Sequence, residues 1–346
     1  MKIIDGGVTA AKGFKAAGMH AGIKKGTKKD MAMIVSSAPC MAAGTFTTNL
    51  VKAAPVKWDQ HVVYEHGEAR AVVVNSGIAN ACTGAEGYGY CEETAKAAAE
   101  ALGIDKDEVL VASTGVIGKQ LPIDTIKKGV KDLSGLLLDT REAATLAAES
   151  IMTTDTVKKE VAVEVETDGK TVTIGGMCKC SGMIHPNMCT MLSFLMTDAA
   201  ISKEMLQKAL SADVDDTYNM ISVDGDTSTN DTVLLLANGL AENPEITEEG
   251  EDYQTFARAL HYINETLAKK MAGDGEGATA LFETKVLGAQ SKEQAKILAK
   301  SVICSNLTKA AIFGHDANWG RILCAMGYSG AKFDPEKVDL YFESAA

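Results

Sequence analysis

Met-Cys-Thr-Met at 188–191 places Thr190 at the head of an apolar run, directly after a loop that contains Gly182, Pro186 and Asn187. A threonine hydroxyl is a weak nucleophile until a base takes its proton. The residue's own α-amine can be that base, but only once the peptide bond before it is broken. An N→O acyl shift breaks that bond when a strained turn brings the hydroxyl to the preceding carbonyl carbon. A β-branched residue entering a buried strand is ordinarily just structural, so residue type alone leaves both readings open.

Other spacings point away from chemistry. The tract DGDTSTND (224–231) lacks the glycine at the sixth position and the glutamate at the twelfth that a calcium loop requires, and it reads as active-site scaffolding. GDGEG (273–277) has no following Lys-Ser/Thr for a phosphate cradle, and Glu276 would repel phosphate. Cys178 and Cys180 have no second ligand pair at a finger-like spacing. The 8 cysteines, without a C-x-x-C pair, read as reduced structural thiols. No metal and no bound cofactor is expected.

The elements that must position these residues are legible as apolar runs and helical periodicities. Runs at 71–74, 109–112, 191–196 and 233–237, each bounded by Gly, Asn, Ser or Thr, predict buried strands. Helical spacing recurs over 92–102, 123–133, 141–151, 253–271 and 292–302. Residues 161–165 and 170–174 alternate around Asp168-Gly169, which predicts a tight hairpin. Thr114 and Gly115 are expected in a turn after a strand ending at Ala112, and another strand is expected over 338–342. The acidic stretch 242–252 reads as a solvated loop and helix start. The class is α/β.

Composition sets the partners. A net charge of −12 and a pI near 5.1 oppose attraction to nucleic acid and to anionic membranes, which leaves small molecules. No apolar run reaches the length of a membrane span, and MKIIDGG lacks the charged and apolar regions of a signal peptide, so a cytoplasmic protein is expected.

The pattern GGM-x-K-x-x-GMIHPNM-x-T-ML-x-F-x-x-TDA (175–199) resembles the signature of the ornithine acetyltransferase family, the bifunctional glutamate N-acetyltransferases/amino-acid acetyltransferases of arginine biosynthesis. VASTGVIG (111–118), SIMTTDT (150–156), SVDGDTSTNDT (222–232), GDGEGAT (273–279) and IFGHDANWGRILCAMGYSGA (312–331) extend the match over nearly the whole chain. The resemblance implies a two-domain layered fold of N-terminal-nucleophile-like type, self-cleaved at Cys189-Thr190 into an α fragment (1–189) and a β fragment (190–346). Many family members carry alanine where this chain has Cys189. Thr190 would take the acetyl group of N-acetylornithine and pass it to glutamate, by ping-pong transfer through an acetyl-threonyl ester.

The resemblance also assigns roles. Thr114 and Gly115 match the oxyanion hole, and Thr153, Lys179 and Glu276 match substrate-binding positions, with a one-residue ambiguity between Thr153 and Thr154. A cation for an α-carboxylate and an anion for an ammonium suit amino-acid substrates. His185 is structural in this scheme, because the Thr190 amine is the base. The family pattern implies an α2β2 assembly and leaves open whether acetyl-CoA is a second acetyl donor. It also implies a C-terminal continuation whose Asn and Ser/Thr side chains join the substrate site, so a site incomplete at that edge is expected here. Ala280, where lysine is common, and His315, at a frequently acidic or alanine position, are minor departures. Two other readings stay in view: an N-terminal-nucleophile hydrolase or aminopeptidase that passes the acyl group to water, and an inactive binding subunit.

Overall fold

The computed structural model describes residues 1–185 and 191–344. Its strands are β1 (Lys2–Ile4), β2 (Phe14–Met19), β3 (Met31–Phe46), β4 (Glu68–Ile78), β5 (Val109–Val116), β6 (Lys159–Thr167), β7 (Lys170–Lys179), β8 (Leu192–Thr197) and β9 (Thr232–Ala237). They form one mixed sheet in the order β1-β6-β7-β8-β9-β3-β4-β5, with β2 also paired to β3. The expected apolar runs coincide with β4, β5, β8 and β9, the 191–196 run starting one residue before β8. β8 and β9 are buried along their whole length. That is why they read as continuous apolar runs: helices cover both faces of the sheet.

One helix layer holds α1 (Ala54–His61), α2 (Gly84–Leu102), α3 (Ile123–Ser134) and α4 (Arg141–Ile151); the other holds α5 (Lys203–Asp216) and α6 (Glu251–Gly273). Period-2 alternation splits each strand between two cores. Phe194 and Met196 face the first with Leu234 and Leu236, whereas Leu195 faces the second with Val233 and Leu235. α7 (Lys292–Cys304), α8 (Asn306–Phe313) and α9 (Trp319–Gly327) pack on one another beyond α6. Side-chain caps start several helices as their sequences suggest. Thr140, Ser202 and Ser291 accept from Ala143, Met205 and Gln294 amides.

The β6–β7 hairpin turns on Asp168 (φ 45°) and Gly169 (φ 74°), with Thr167 facing Lys170. Positive φ at both central residues is the geometry that matches the twist of a two-residue hairpin. Two expectations are corrected. Thr114 and Gly115 lie within β5 rather than in a turn, because β4 runs on to Ile78 and pairs with them in parallel, Ser76 to Thr114 and Gly77 to Gly115. The 338–342 segment forms no strand: no described strand lies alongside it to take its backbone hydrogen bonds, and Tyr341 is 81% exposed.

Residues 189 and 190 fall between β7 and β8, which pair antiparallel from Ile174↔Thr197 to Lys179↔Leu192. The segments on either side therefore share one ladder and two cores. A break in the intervening loop leaves those bonds intact.

Candidate active site

Four segments distant in sequence converge at the ends of β4, β5, β7 and β9 on a cavity of about 690 Å³. Thr114, Gly115, Thr153, Lys179 and Glu276 all line it, and so does Met191, the residue covalently bonded to Thr190. Cys189 and Thr190 themselves lie outside the described residues. His185 does not line the cavity. Its Nδ1 is 3.0 Å from Ser222 Oγ and 3.6 Å from Cys304 Sγ. Burial and the Lys300 and Lys309 cations hold its proton affinity below the ordinary histidine value. A smaller cavity of about 370 Å³ beside α6 shares Glu276 but has neither Thr114 nor Lys179 in its wall.

Lys179, at the end of β7, is only 7% exposed and donates from Nζ to Thr114 Oγ1 at 3.2 Å. A hydroxyl that accepts from an ammonium has its own proton left to donate elsewhere. Lys179 thus leaves Thr114 poised as a donor toward the cavity. Gly115 is needed beside it: its φ is 130°, and a Cβ there would come within 2.2 Å of the Gly77 carbonyl carbon. Asn230 bridges the loop before β9 to this point, since its Nδ2 donates to Ala79 O (2.6 Å) and Ser113 O (2.8 Å).

A buried ion triad sets the other side. Lys159 Nζ, at 0% exposure, donates to Asp155 Oδ1 (2.7 Å) and Asp274 Oδ2 (2.6 Å). Burial favours the neutral amine, but Asp155 and then Asp274 overcome it and hold Lys159 above the ordinary lysine value. Asp155 also accepts from the Thr153 amide (3.0 Å) and the Cys180 amide (2.9 Å). Asp274 stands two residues before Glu276, whose amide donates to Ser181 O at 2.7 Å. One lysine therefore braces the segments that carry Thr153, Lys179 and Glu276. Lys159→Met should leave two carboxylates buried without their cation and destabilise the fold by about 3–5 kcal/mol, read as a lower urea midpoint at unchanged slope.

Thr153 and Thr154 both line the cavity. Thr154 Oγ1 lies 2.6 Å from Ser181 Oγ, and the Thr153 amide is held by Asp155. The tract 224–231 is scaffolding in the expected sense: Asp224 accepts from the Met183 (2.6 Å) and Ile184 (2.9 Å) amides and so shapes the chain leading to 186–190.

Sequence reading missed Lys24. It sits in the loop between β2 and β3, which the buried Asp30 carboxylate organises by accepting the amides of Ala21, Gly22, Ile23 and Lys24. Lys24 lines the cavity and donates to Met152 O at 2.6 Å, next to Thr153. Burial pulls its pKa down to about 8, although Asp30 pulls the other way. With Lys25 and Lys28 it makes the mouth basic in a chain that is acidic overall. No spacing in the sequence connects residue 24 with residue 179. Among the described residues no cluster of His, Cys, Asp and Glu could hold a metal ion, and no helix is long and apolar enough to cross a membrane. Burial raises the Cys180 thiol to about 12, which keeps it protonated beside the cavity.

The family model described as the ArgJ family matches residues 15–346. The chain belongs to the ArgJ family. It is 55% identical over 338 residues to "Arginine biosynthesis bifunctional protein ArgJ 1" of Clostridium acetobutylicum, covering 97% of this chain and 82% of that protein. The ArgJ protein of Caldanaerobacter subterraneus subsp. tengcongensis is 52% identical over 345 residues, covering 100% of this chain and 85% of that one. Solved structures are similar as well. The Bacillus halodurans ArgJ crystal structure has a TM-score of 0.52 at 45% identity, covering 54% of this chain and 97% of that chain. The ornithine acetyltransferase of Mycobacterium tuberculosis, complexed with ornithine, has a TM-score of 0.51 at 43% identity, covering 54% and 98%.

Proposed function

We propose that this ArgJ-family chain is a self-processing acetyltransferase that moves acetyl from N-acetylornithine to glutamate through Thr190. The convergence of Thr114, Gly115, Thr153, Lys179, Glu276 and Met191 on one cavity carries this reading. In the intact chain the Thr190 hydroxyl attacks the Cys189 carbonyl carbon; collapse breaks the Cys189–Thr190 C–N bond, which frees the α-amine and leaves an ester, and water then hydrolyses that ester to release the Cys189 carboxylate and the Thr190 hydroxyl. That amine then takes the Oγ proton as Oγ attacks the acetyl carbonyl of N-acetylornithine. Negative charge develops on the former carbonyl oxygen, where the Thr114 hydroxyl and the Gly115 amide are placed to receive it. Collapse breaks the C–N bond, and the proton returns to the leaving nitrogen as ornithine departs. The amino group of glutamate attacks the acetyl-threonyl ester by the same steps in reverse.

The lysines suit the substrates' carboxylates and Glu276 suits an ammonium. Coverage supports processing: each solved relative's chain is matched almost end to end by 54% of this one, close to the share (189 of 346 residues) that precedes Thr190. Acetyl-CoA as a second donor would give the enzyme a second acetyl-transfer activity. Intact mass under denaturing conditions, with N-terminal sequencing, tests the central claim. The expected result is two fragments, the second beginning with threonine; a single uncleaved mass after prolonged incubation refutes it. Turnover that releases acetate at the same rate without glutamate would assign the chain to the hydrolases instead.

A further inference from the structure

The two substrates of the proposed transfer differ at one end only. Each presents an α-carboxylate and an α-nitrogen that gives or takes the acetyl group, but the donor's side chain ends in an ammonium and the acceptor's in a second carboxylate. The cavity must therefore hold a cation in one half of the reaction and an additional anion in the other. Glu276 suits the first, since its Oε2 lies 2.8 Å from where a Cβ on Gly182 would stand and no described side chain pairs with it. The second needs a cation that still has a donor to give.

Lys24 is held where it spans the site. Its stem lies over Gly77 of β4, where an added Cβ would come within 3.1 Å of Lys24 Cγ, and Gly77 pairs with Gly115 of β5. Its ammonium reaches the segment that carries Thr153, donating to Met152 O at 2.6 Å and also to Lys29 O at 2.9 Å. An ammonium has three N–H bonds. One is left over, and no described carboxylate forms an ion pair with it. The other lysines are less well suited. Lys159 is sealed between Asp155 and Asp274, and Lys25 and Lys28 are exposed at the mouth. Lys179, beside the Thr114 hydroxyl, is placed for the α-carboxylate next to the reacting nitrogen.

We infer that Lys24 selects the acceptor: its free N–H pairs with the side-chain carboxylate of glutamate, while Glu276 on the same cavity wall takes the side-chain ammonium of the donor. The charged groups around Lys24 are Asp30 and Lys28 of its own loop, Lys179 at the end of β7 and Asp155 before β6. Lys25, Asp231 and Glu276 stand on the same wall. Burial brings the Lys24 pKa to about 8, so its charge is lightly held: an arriving carboxylate favours the proton and an arriving ammonium disfavours it. That suits a cavity that meets both in turn.

This rests on the acetyl-transfer reading above, and the test keeps the two apart. Glutamine has the shape of glutamate without the side-chain charge, so the ratio of kcat/KM for the two acceptors isolates the contact, and a general loss of activity cancels. Wild type should favour glutamate by about 10- to 100-fold, the range a charge-assisted hydrogen bond supplies. Lys24→Met should bring the ratio close to one, mainly by raising KM for glutamate, and Lys24→Arg, which keeps a cation, should restore much of the preference. For N-acetylornithine, which has no second carboxylate, kcat/KM should fall by less than about threefold, because that hydrogen bond is never made. A Lys24→Met enzyme that keeps the wild-type ratio overturns the assignment. Wild type alone supplies a second measurement. Lys24 is cationic below its pKa and neutral above it, so the ratio should be largest in acid and fall as pH rises through about 8. The α-amino group that must be neutral to attack is common to both acceptors and drops out. A ratio that does not change with pH overturns the assignment even where no variant folds. Wild type that releases no ornithine from N-acetylornithine would instead remove the reading beneath it, whereas ornithine release with no preference for glutamate refutes the role of Lys24 alone.

Discussion

Thr190→Ala should give a single uncut chain with no measurable acetyl transfer. Alanine has no hydroxyl to reach the preceding carbonyl, so the acyl shift cannot begin, and without the cut there is no free α-amine to serve as base. Both reactions fail at once for one atomic reason. Thr190→Ser keeps the hydroxyl and should retain both. The pairing of β7 with β8 and the two cores flanking the sheet do not depend on the side chain at 190, so the variant should melt as cooperatively as the precursor. Denaturing mass, circular dichroism and ornithine release measured together decide the matter. Turnover by Thr190→Ala near the wild-type rate would place the nucleophile elsewhere.

Thr114→Ala should slow acyl transfer by about 10²–10³-fold, the loss of roughly 2.7–4 kcal/mol that removal of one oxyanion donor produces. The fall should appear in kcat, because the hydrogen bond forms to charge that exists only in the transition state. Lys179 adds a diagnostic. Its ammonium is 3.2 Å from the Thr114 hydroxyl, so alanine also strands a buried cation, whereas Thr114→Ser keeps the oxygen that Lys179 needs. Serine should restore most of kcat, and self-cleavage should slow in parallel in the alanine variant because its tetrahedral intermediate carries the same charge. Steady-state kinetics with N-acetylornithine and glutamate check the prediction; an alanine variant within threefold of wild type would take Thr114 out of the oxyanion hole.

The contrast between β3 and its neighbours shows where local sequence stops being informative. The 71–74 and 233–237 runs are apolar throughout because those strands are covered on both faces, and burial of that kind is written into residue type. β3, the long central strand, carries Ser-Ser-Ala-Pro in its middle. Proline cannot donate to a ladder. Only the register, which shifts between Val35 and Cys40 where β4 pairs with it, shows that the interruption is a bulge inside one strand. Thr114 and Gly115 were misplaced for a similar reason. Ser-Thr-Gly has turn chemistry, and the partner strand that keeps it extended lies more than thirty residues earlier.

The sequence by itself determined the covalent order around Thr190, the motifs on either side of it, and which family the chain joins, because these are properties of chain order and of motifs a few residues long. The β6–β7 turn and the capped helices were legible for the same reason, each being decided by neighbours in the chain. Only the tertiary structure decided that Thr114, Thr153, Lys179 and Glu276 share a wall, that Lys24 joins them from the β2–β3 loop, that Lys159 braces three segments between Asp155 and Asp274, and that Asp231 holds a carboxylate oxygen with no described partner. Burial and distance between residues far apart in sequence arise from how a twisted sheet brings its strand ends together under two helix layers, and no local pattern encodes that meeting.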